Sequence, residues 1–393
     1  MKLLCRIISI RKHKNIFFCD VLSNIKEIRQ ICFEKKENDS INITTGEIII
    51  VFGEMGLNRK KEQLFFCERI KKASIPLKSI PMKSYIANRA IDSSHSKKSL
   101  YNSLSRGYNQ NIWLFRMQYI DLMNQYLQSQ GFIITRTKHL MNCRGTYNAN
   151  PFTTINRSDK KTQYLRITME LELKKTVMVT LQAVAEIGTV YRNMGKNTVH
   201  ATEFHVLELI KPLEDIRYIV ELMKGICKQA ISIARSCNIT YDPIFENLNE
   251  KSIYQLIEEK NMRYSSNEEL YELYISEIRP GIDNLIVTDI PSKDPFVRRV
   301  GEWGSEVEWV IHGKRIAHGF EDEIDSELIL QRFIAQVKEV CINDKNAEVD
   351  YEFIDMLRYG YPPSVSLGMG VDRFISYLLQ LDHIQVAINP LGI

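Results

Sequence analysis

An arginine, a histidine and a phenylalanine stand at 192, 200 and 204, within the stretch Tyr-Arg-Asn-Met-Gly-Lys-Asn-Thr-Val-His-Ala-Thr-Glu-Phe that starts at Tyr191. These residue types suit a nucleoside triphosphate. A guanidinium offers a planar fork to one phosphate, a loop cation such as Lys196 or His200 can reach a more distal one, and the Phe204 ring gives a purine a face. On spacing alone the same stretch also reads as a surface hairpin with a solvated, charged loop. Apolar residues precede it at Ile187 and Val190, and alternation resumes at Phe204, Val206 and Leu209. Two strands joined by a polar loop must therefore position the three side chains.

A second cation, Arg373, follows Ser366-Leu367-Gly368-Met369-Gly370-Val371-Asp372, where Gly368 and Gly370 allow close backbone approach at a strand-to-helix junction. Between the two stretches, Glu306 and Glu308 alternate on a strand that turns at His312-Gly313-Lys314-Arg315. Carboxylates beside a triphosphate are what magnesium uses, since it takes one or two of them together with phosphate oxygens.

Tyr191 to Ile210 resembles motif 2 of the class II aminoacyl-tRNA synthetases, closest to the lysyl branch. Pro362 to Arg373 is similar to motif 3, and Gly313 to Phe333 follows the lysyl pattern without a gap. The helix of Trp113 to Gln130, stopped by Gly131, with the strand Phe132 to Thr135, resembles the dimer-forming motif 1, although Lys138 stands where that family has proline. The resemblance covers nearly the whole chain. It implies an α+β fold: an N-terminal OB-fold β-barrel at 1–75, a linker at 76–110, and a catalytic domain at 111–393 built on an antiparallel sheet flanked by helices.

What the resemblance implies for the site is specific. Arg192 meets the α-phosphate and the substrate carboxylate, His200 and Arg373 hold the terminal phosphate, and Phe204 and Arg373 cover the two faces of adenine near Gly370. Glu308 and Glu208 are the expected magnesium ligands, with ATP and magnesium as cofactors. Gly145 opens the loop beside the amino-acid pocket, and Glu170 holds the α-ammonium. Asp322 occupies the position that reads the substrate side chain, and an acid there favours a cation. Ile210, His318 and Ser366 line that pocket in place of the family's tyrosine, asparagine and glycine. Met194 and Arg315 each replace a family glutamate.

The elements before the catalytic region read as strands at Leu3–Ile10, Ile16–Leu22, Glu47–Glu54 and Leu64–Ile70, with a basic turn at 11–15. Short strands with turn punctuation fit an OB barrel, a fold that binds oligonucleotides on one face. In the lysyl and aspartyl branches that barrel reads the anticodon, so Phe18 is the expected stacking ring and Arg6 and Arg11 the expected RNA backbone contacts. Polar, Ser/Lys/Asn-rich sequence from Ser74 to Gln110 reads as a linker with one or two short helices, its Lys97-Lys98 cluster a solvated surface.

Composition agrees with a globular enzyme: 393 residues, 44% hydrophobic and 25% charged. A net charge of +4 permits contact with RNA without indicating it. Eight cysteines stand without paired spacing, which points to free thiols in a reducing cytoplasm and away from zinc. No apolar run reaches membrane-spanning length. The expected partners are ATP, a basic amino acid, tRNA and a second copy of the chain in a homodimer. Two rival functions stay open: a paralogue that passes an unusual basic amino acid to a protein or small molecule, as the ligase acting on elongation factor P does, and a regulatory module with reduced catalysis.

Overall fold

The computed structural model describes residues 1–24, 28–34, 43–58, 63–75, 110–145, 149–195, 197–340 and 347–390. Of the expected linker at 76–110, all but Gln110, which already belongs to a helix, lies outside the described residues, as does the loop cation Lys196. The chain divides into two units, Met1–Trp113 with Asn389–Ile393, and Leu114–Ile388.

In the first unit, apolar residues at every second position build a closed five-stranded barrel. Its strands are β1 (Lys2–His13), β2 (Ile16–Ser23), β3 (Gln30–Glu34), β4 (Ile48–Leu57) and β5 (Gln63–Ser74), paired in the order β1-β2-β3-β5-β4. Leu3, Cys5, Ile7, Cys19, Val21, Ile31, Ile49, Val51 and Phe65 fill its interior. This order and closure are those of an OB-like barrel. Strand β3 was not anticipated from the sequence. The basic turn is shorter than expected, because β1 keeps pairing as far as His13 opposite Ile16, and the reversal falls on Lys14 at φ 54°. Gly53 is sterically required: a Cβ there would lie 1.9 Å from the Phe66 carbonyl oxygen on the neighbouring strand.

The second unit is a mostly antiparallel sheet with helices on its faces. The elements, in chain order, are α1 (Gln110–Ser129), β6 (Ile133–Ile134), β7 (Leu140–Met141), β8 (Thr153–Ile155), β9 (Thr162–Leu165), α2 (Glu170–Thr180), β10 (Val184–Tyr191) and β11 (Glu203–Pro212). There follow α3 (Ile216–Ser236), β12 (Asn249–Ser252), α4 (Ile253–Glu259), α5 (Asn267–Leu273), β13 (Asn284–Ser292), β14 (Arg299–Val300), β15 (Trp303–Ile311) and β16 (Lys314–Glu321). The unit ends with α6 (Ser326–Val340), α7 (Tyr351–Leu357), β17 (Ser364–Gly370), α8 (Val371–Leu378) and α9 (Ile384–Ile388). Among the described residues the main sheet runs β12-β13-β15-β16-β17-β11-β10-β6, with β14 on β15. Helix α1 ends at Gly131, whose φ of 87° suits a left-handed cap. The strand expected over Phe132–Thr135 shrinks to β6, although Thr135 still donates its N–H to Ala185 at 3.0 Å. No described helix is long and apolar enough to cross a membrane.

Register decides what the sheet presents. Glu308 pairs with His318, His318 with Gly368, Gly368 with Glu208, and Glu208 with Glu186, so these five form one row across the strands. The next row on the same face is Glu306, Phe320, Ser366, Ile210 and Val184. The opposite face carries the aromatic packing of Trp309 and Phe374 at 5.2 Å and of Phe374 and Tyr119 at 5.8 Å. Period-two alternation therefore separates a polar face from an apolar one.

At the β10 end of the polar row, Arg166 and Glu186 form a buried pair at 3.0 Å, each side chain only 1% exposed. Arg166 also donates to Thr189 O at 2.8 Å and to Thr137 Oγ1 at 2.7 Å, while Glu186 accepts from the Thr137 N–H at 2.7 Å. Removing one member would leave the other as an uncompensated buried charge. Glu186→Ala is expected to lower stability by about 3–5 kcal/mol, read as a shifted urea midpoint with an unchanged m-value.

Candidate active site

The three residues that opened the sequence reading meet at one cavity of about 550 Å³, whose lining includes Arg192, His200, Phe204, Glu208, Arg315, His318 and Arg373. Arg192 follows the last residue of β10, where its N–H donates to Thr202 O at 2.9 Å and ties the two ends of the loop together. Its guanidinium lies 5.2 Å from the Phe204 ring centroid, and its Nε is buried without a hydrogen-bond partner. Burial holds its pKa down, with Arg373 and Arg315 adding to the effect against the pull of Glu208. A desolvated guanidinium with spare donors is primed to receive an anion.

Arg373, in the first turn of α8, donates to the Arg315 carbonyl at 3.1 Å. Its neighbour Asp372 anchors that turn: it receives the buried Arg116 guanidinium and the His205 N–H. A second cavity of about 400 Å³ shares His200, Arg315 and Arg373 with the first and adds Arg279 and Lys314. His200 is exposed, bonded to Asn197 Oδ1 at 3.0 Å through Nδ1, and its pKa is held down by burial and by Arg373, Lys314 and Arg192. A bound phosphate would reverse that charge effect.

A Cβ at Gly368 would lie 3.2 Å from His318 Nε2, so the imidazole would have to give way by a few tenths of an ångström. Gly370 is not under the same demand: its φ is −76° and a Cβ would meet Arg373 Cβ at an ordinary 3.6 Å. It borders the cavity all the same.

The two expected magnesium ligands do not fit one ion. Glu308 and Glu208 share a row but stand three strands apart, about 14 Å at the ordinary strand spacing. Glu308 is 1% exposed and already accepts from Tyr274 Oη at 2.7 Å and Arg315 Nη1 at 3.2 Å, with Arg279 at 3.6 Å. Both oxygens of Glu208 accept from Thr168 Oγ1, at 2.8 and 2.9 Å, and one also takes the Met169 N–H at 2.6 Å. Arg315, which replaces an acid, supplies a cation where a metal-binding carboxylate was sought.

Residues expected on the amino-acid side gather along α2. Glu170 opens that helix, 3.5 Å from Lys174 Nζ, and its Oε1 is buried without a hydrogen-bond partner. Burial pushes its carboxyl up to about 8, and Asp294, Glu208 and Asp322 add to this against Lys174. His318 borders the large cavity with Nδ1 unpartnered and 3.9 Å from Glu306.

Asp322 is not open to an incoming cation. Lys174 reaches it at 2.7 Å, Ser366 Oγ at 2.8 and 3.0 Å, and Tyr361 Oη at 2.6 Å. Ile210 is core, 1% exposed, beneath the same pocket. Gly145, at φ 75°, borders a separate space of about 30 Å³ and not the large cavity. Lys174 and Tyr361 were missed from sequence. The signal for Lys174 was its i,i+4 spacing from Glu170 and its place between Leu173 and Val177 on the inner face of α2.

In the barrel, Phe18 is half-buried on the outer face and pairs with Arg11 and Cys32, while Phe17 packs against the interior. Arg11 is engaged with Asp20 at 3.0 Å, and Arg6 donates to Gly46 O at 3.2 Å.

Glu170 generates a pH signature. Its folded pKa of about 8 exceeds the roughly 4.3 of an unfolded glutamate, so the folded state binds more protons between these values. Stability then falls as pH rises through that window. Glu170→Gln should remove this slope, so the melting temperature of the variant relative to the parent rises between pH 5.5 and pH 8.5. A constant difference would contradict it.

Comparison with known proteins gives these features a family. The model for tRNA synthetases class II (D, K and N) matches residues 93–389. The chain is 25% identical to the lysine–tRNA ligase of Malacoplasma penetrans (strain HF-2) over 384 residues, covering 86% of this chain and 76% of that protein. It is 27% identical to the lysine–tRNA ligase of Ureaplasma urealyticum serovar 10 over 402 residues, covering 91% and 80%. A match of the family model over most of the length, on a fold with an OB-like barrel and an antiparallel catalytic sheet, means that this chain belongs to the class II aminoacyl-tRNA synthetases of the D, K and N group.

Proposed function

We propose that this chain activates an amino acid with ATP to form an aminoacyl-adenylate and passes the aminoacyl group to a tRNA. The observation that carries the reading is the gathering of Arg192, Phe204, His200 and Arg373 on one cavity. In the activation step a carboxylate oxygen of the amino acid attacks the α-phosphorus of ATP, and the bond from that phosphorus to the bridging oxygen of pyrophosphate breaks. Negative charge builds on the α-phosphate oxygens and on the leaving pyrophosphate. Arg192 neutralises the first, and Arg373, His200 and Arg315 the second. Phe204 supports adenine, and Glu170, once ionised, holds the α-ammonium. Little covalent help from the protein is needed, because positioning and fixed charge carry most of the acceleration.

The names of the relatives point to lysine as the amino acid, but Asp322, the acid expected to meet it, is already held by Lys174. The barrel supplies the surface for tRNA, with Phe18 as a stacking ring. Transfer to a different acceptor would show as activation without tRNA charging.

ATP–pyrophosphate exchange on the purified chain tests the reading. Arg192→Ala should slow exchange by about 100-fold or more, the loss typical of removing one preorganised donor. Phe204→Ala should instead raise the KM for ATP about tenfold with a smaller change in kcat, as expected for one lost stacking contact. Exchange indifferent to both substitutions would place the chemistry elsewhere.

A further inference from the structure

We infer that Lys174 closes the side-chain end of the amino-acid site, so that the substrate is an amino acid with a short, uncharged side chain and not one of lysine length and charge. This rests on the reading that the chain activates an amino acid beside Glu170.

Enclosure of Asp322 is the first ground. Three donors already meet its carboxylate: Lys174 at 2.7 Å, Tyr361 Oη at 2.6 Å, and the one Ser366 hydroxyl, which lies 2.8 and 3.0 Å from the two oxygens. The Asp322 side chain is 0% exposed. The second ground is how the Lys174 ammonium is held. It is 2% exposed, bonded to Ser366 Oγ at 3.3 Å, and faces the rings of Phe296, Tyr361 and Phe320 at 4.9, 5.4 and 5.8 Å. Three aromatic faces and a carboxylate are what a recognition site would assemble around an alkylammonium ligand. Here the chain supplies that ligand itself. A substrate ammonium would have to displace it, or sit against it as a like charge in a desolvated space.

Space points the same way. The large cavity is bordered by Glu208, His318 and Gly368, whereas Lys174, Asp322 and Tyr361 do not reach it. Lys174 Nζ stands 3.5 Å from Glu170 and 2.7 Å from Asp322, so a side chain held at Glu170 meets that ammonium before it can reach Asp322. His318 borders the large cavity, and its ring can exchange a hydrogen bond with a hydroxyl or amide. An anionic side chain is disfavoured, because Glu208, Glu306 and Asp294 face the same region and Lys174 is already neutralised.

The test is ATP–pyrophosphate exchange with the full chain and its Lys174→Ala and Lys174→Met variants. The panel is L-lysine and L-ornithine against L-alanine, L-serine, L-threonine and L-asparagine. The wild-type chain should favour a neutral short member over L-lysine by roughly 100-fold in kcat/KM, the scale set by a mismatched pocket. Lys174→Ala should gain exchange with L-lysine, since it empties the ammonium position and frees Asp322, whereas Lys174→Met fills the space without a charge and should not. Wild-type preference for L-lysine would overturn the inference and leave the activation reading standing. Exchange with no amino acid would overturn the activation reading instead, and melting temperatures then test the closure by themselves. Propylammonium should restore stability to Lys174→Ala, not to Lys174→Met, and L-lysine should leave the wild-type chain unshifted. A wild-type shift with L-lysine would again overturn the closure.

Discussion

The register between β11 and β17 is the constraint on which the catalytic unit depends. Glu208 opposite Gly368 and Ile210 opposite Ser366 fix which side chains share a row, and β16 extends both rows to His318 and Phe320. A slip of one residue would exchange the polar face for the apolar one that packs Leu207, Leu209, Leu367 and Met369. Arg192 follows β10, which pairs with β11, and Arg373 lies just beyond β17, so their convergence is also a product of register. Gly368 leaves the centre of its row without a side chain. His318 lies against the space so created, which sets the floor of the cavity.

On that frame, most of the carboxylates are satisfied from within. Glu308 is met by Arg315, Arg279 and Tyr274, Glu186 by Arg166 and Thr137, Asp322 by Lys174, Ser366 and Tyr361, and Asp372 by Arg116 and His205. Burying an unpaired charge would cost several kcal/mol, and pairing avoids that penalty. What this leaves uncommitted is informative. Arg192 keeps an unbonded Nε and His318 an unbonded ring nitrogen, both on residues that line the large cavity, while Glu170 Oε1 accepts no hydrogen bond and has the Lys174 ammonium at 3.5 Å.

Much of this fold was legible because its signals are local. The short apolar runs in Ile16–Leu22 and Glu47–Glu54 and the helical period after Trp113 each depend on a short window, and the strands and helix formed there. Strand β3 was harder to see: five residues, preceded by Arg29 and ending on Glu34, give alternation little room. Family resemblance placed Asp322 in a pocket but said nothing of what fills it. Lys174 lies 148 residues away from Asp322 in sequence, and its spacing from Glu170 is all that a local reading contains. The same holds for Glu308, whose alternation with Glu306 was visible while its capture by Arg315, Arg279 and Tyr274 was not. Long-range charge pairing decides whether an acid is a site or a structural partner, and it is the part that a window of sequence omits.

One substitution that looked like damage to the family pattern, and one lysine the sequence reading passed over, are coherent when the charges are taken together. Arg315 stands in place of an acid and neutralises Glu308, which turns a position expected to receive a cation into one that supplies a cation to the cavity. Lys174 neutralises Asp322, which removes a second demand for an external cation. The cavity is then rimmed by Arg192, Arg315, Arg373 and His200, and Glu208 is the acid in its lining. On the proposed reading, such a balance suits ligands that bring several negative charges and a single ammonium: a nucleoside triphosphate and an amino acid whose side chain carries no charge. Electrostatic complementarity thus selects the neutral substrate by the same arrangement that holds the triphosphate.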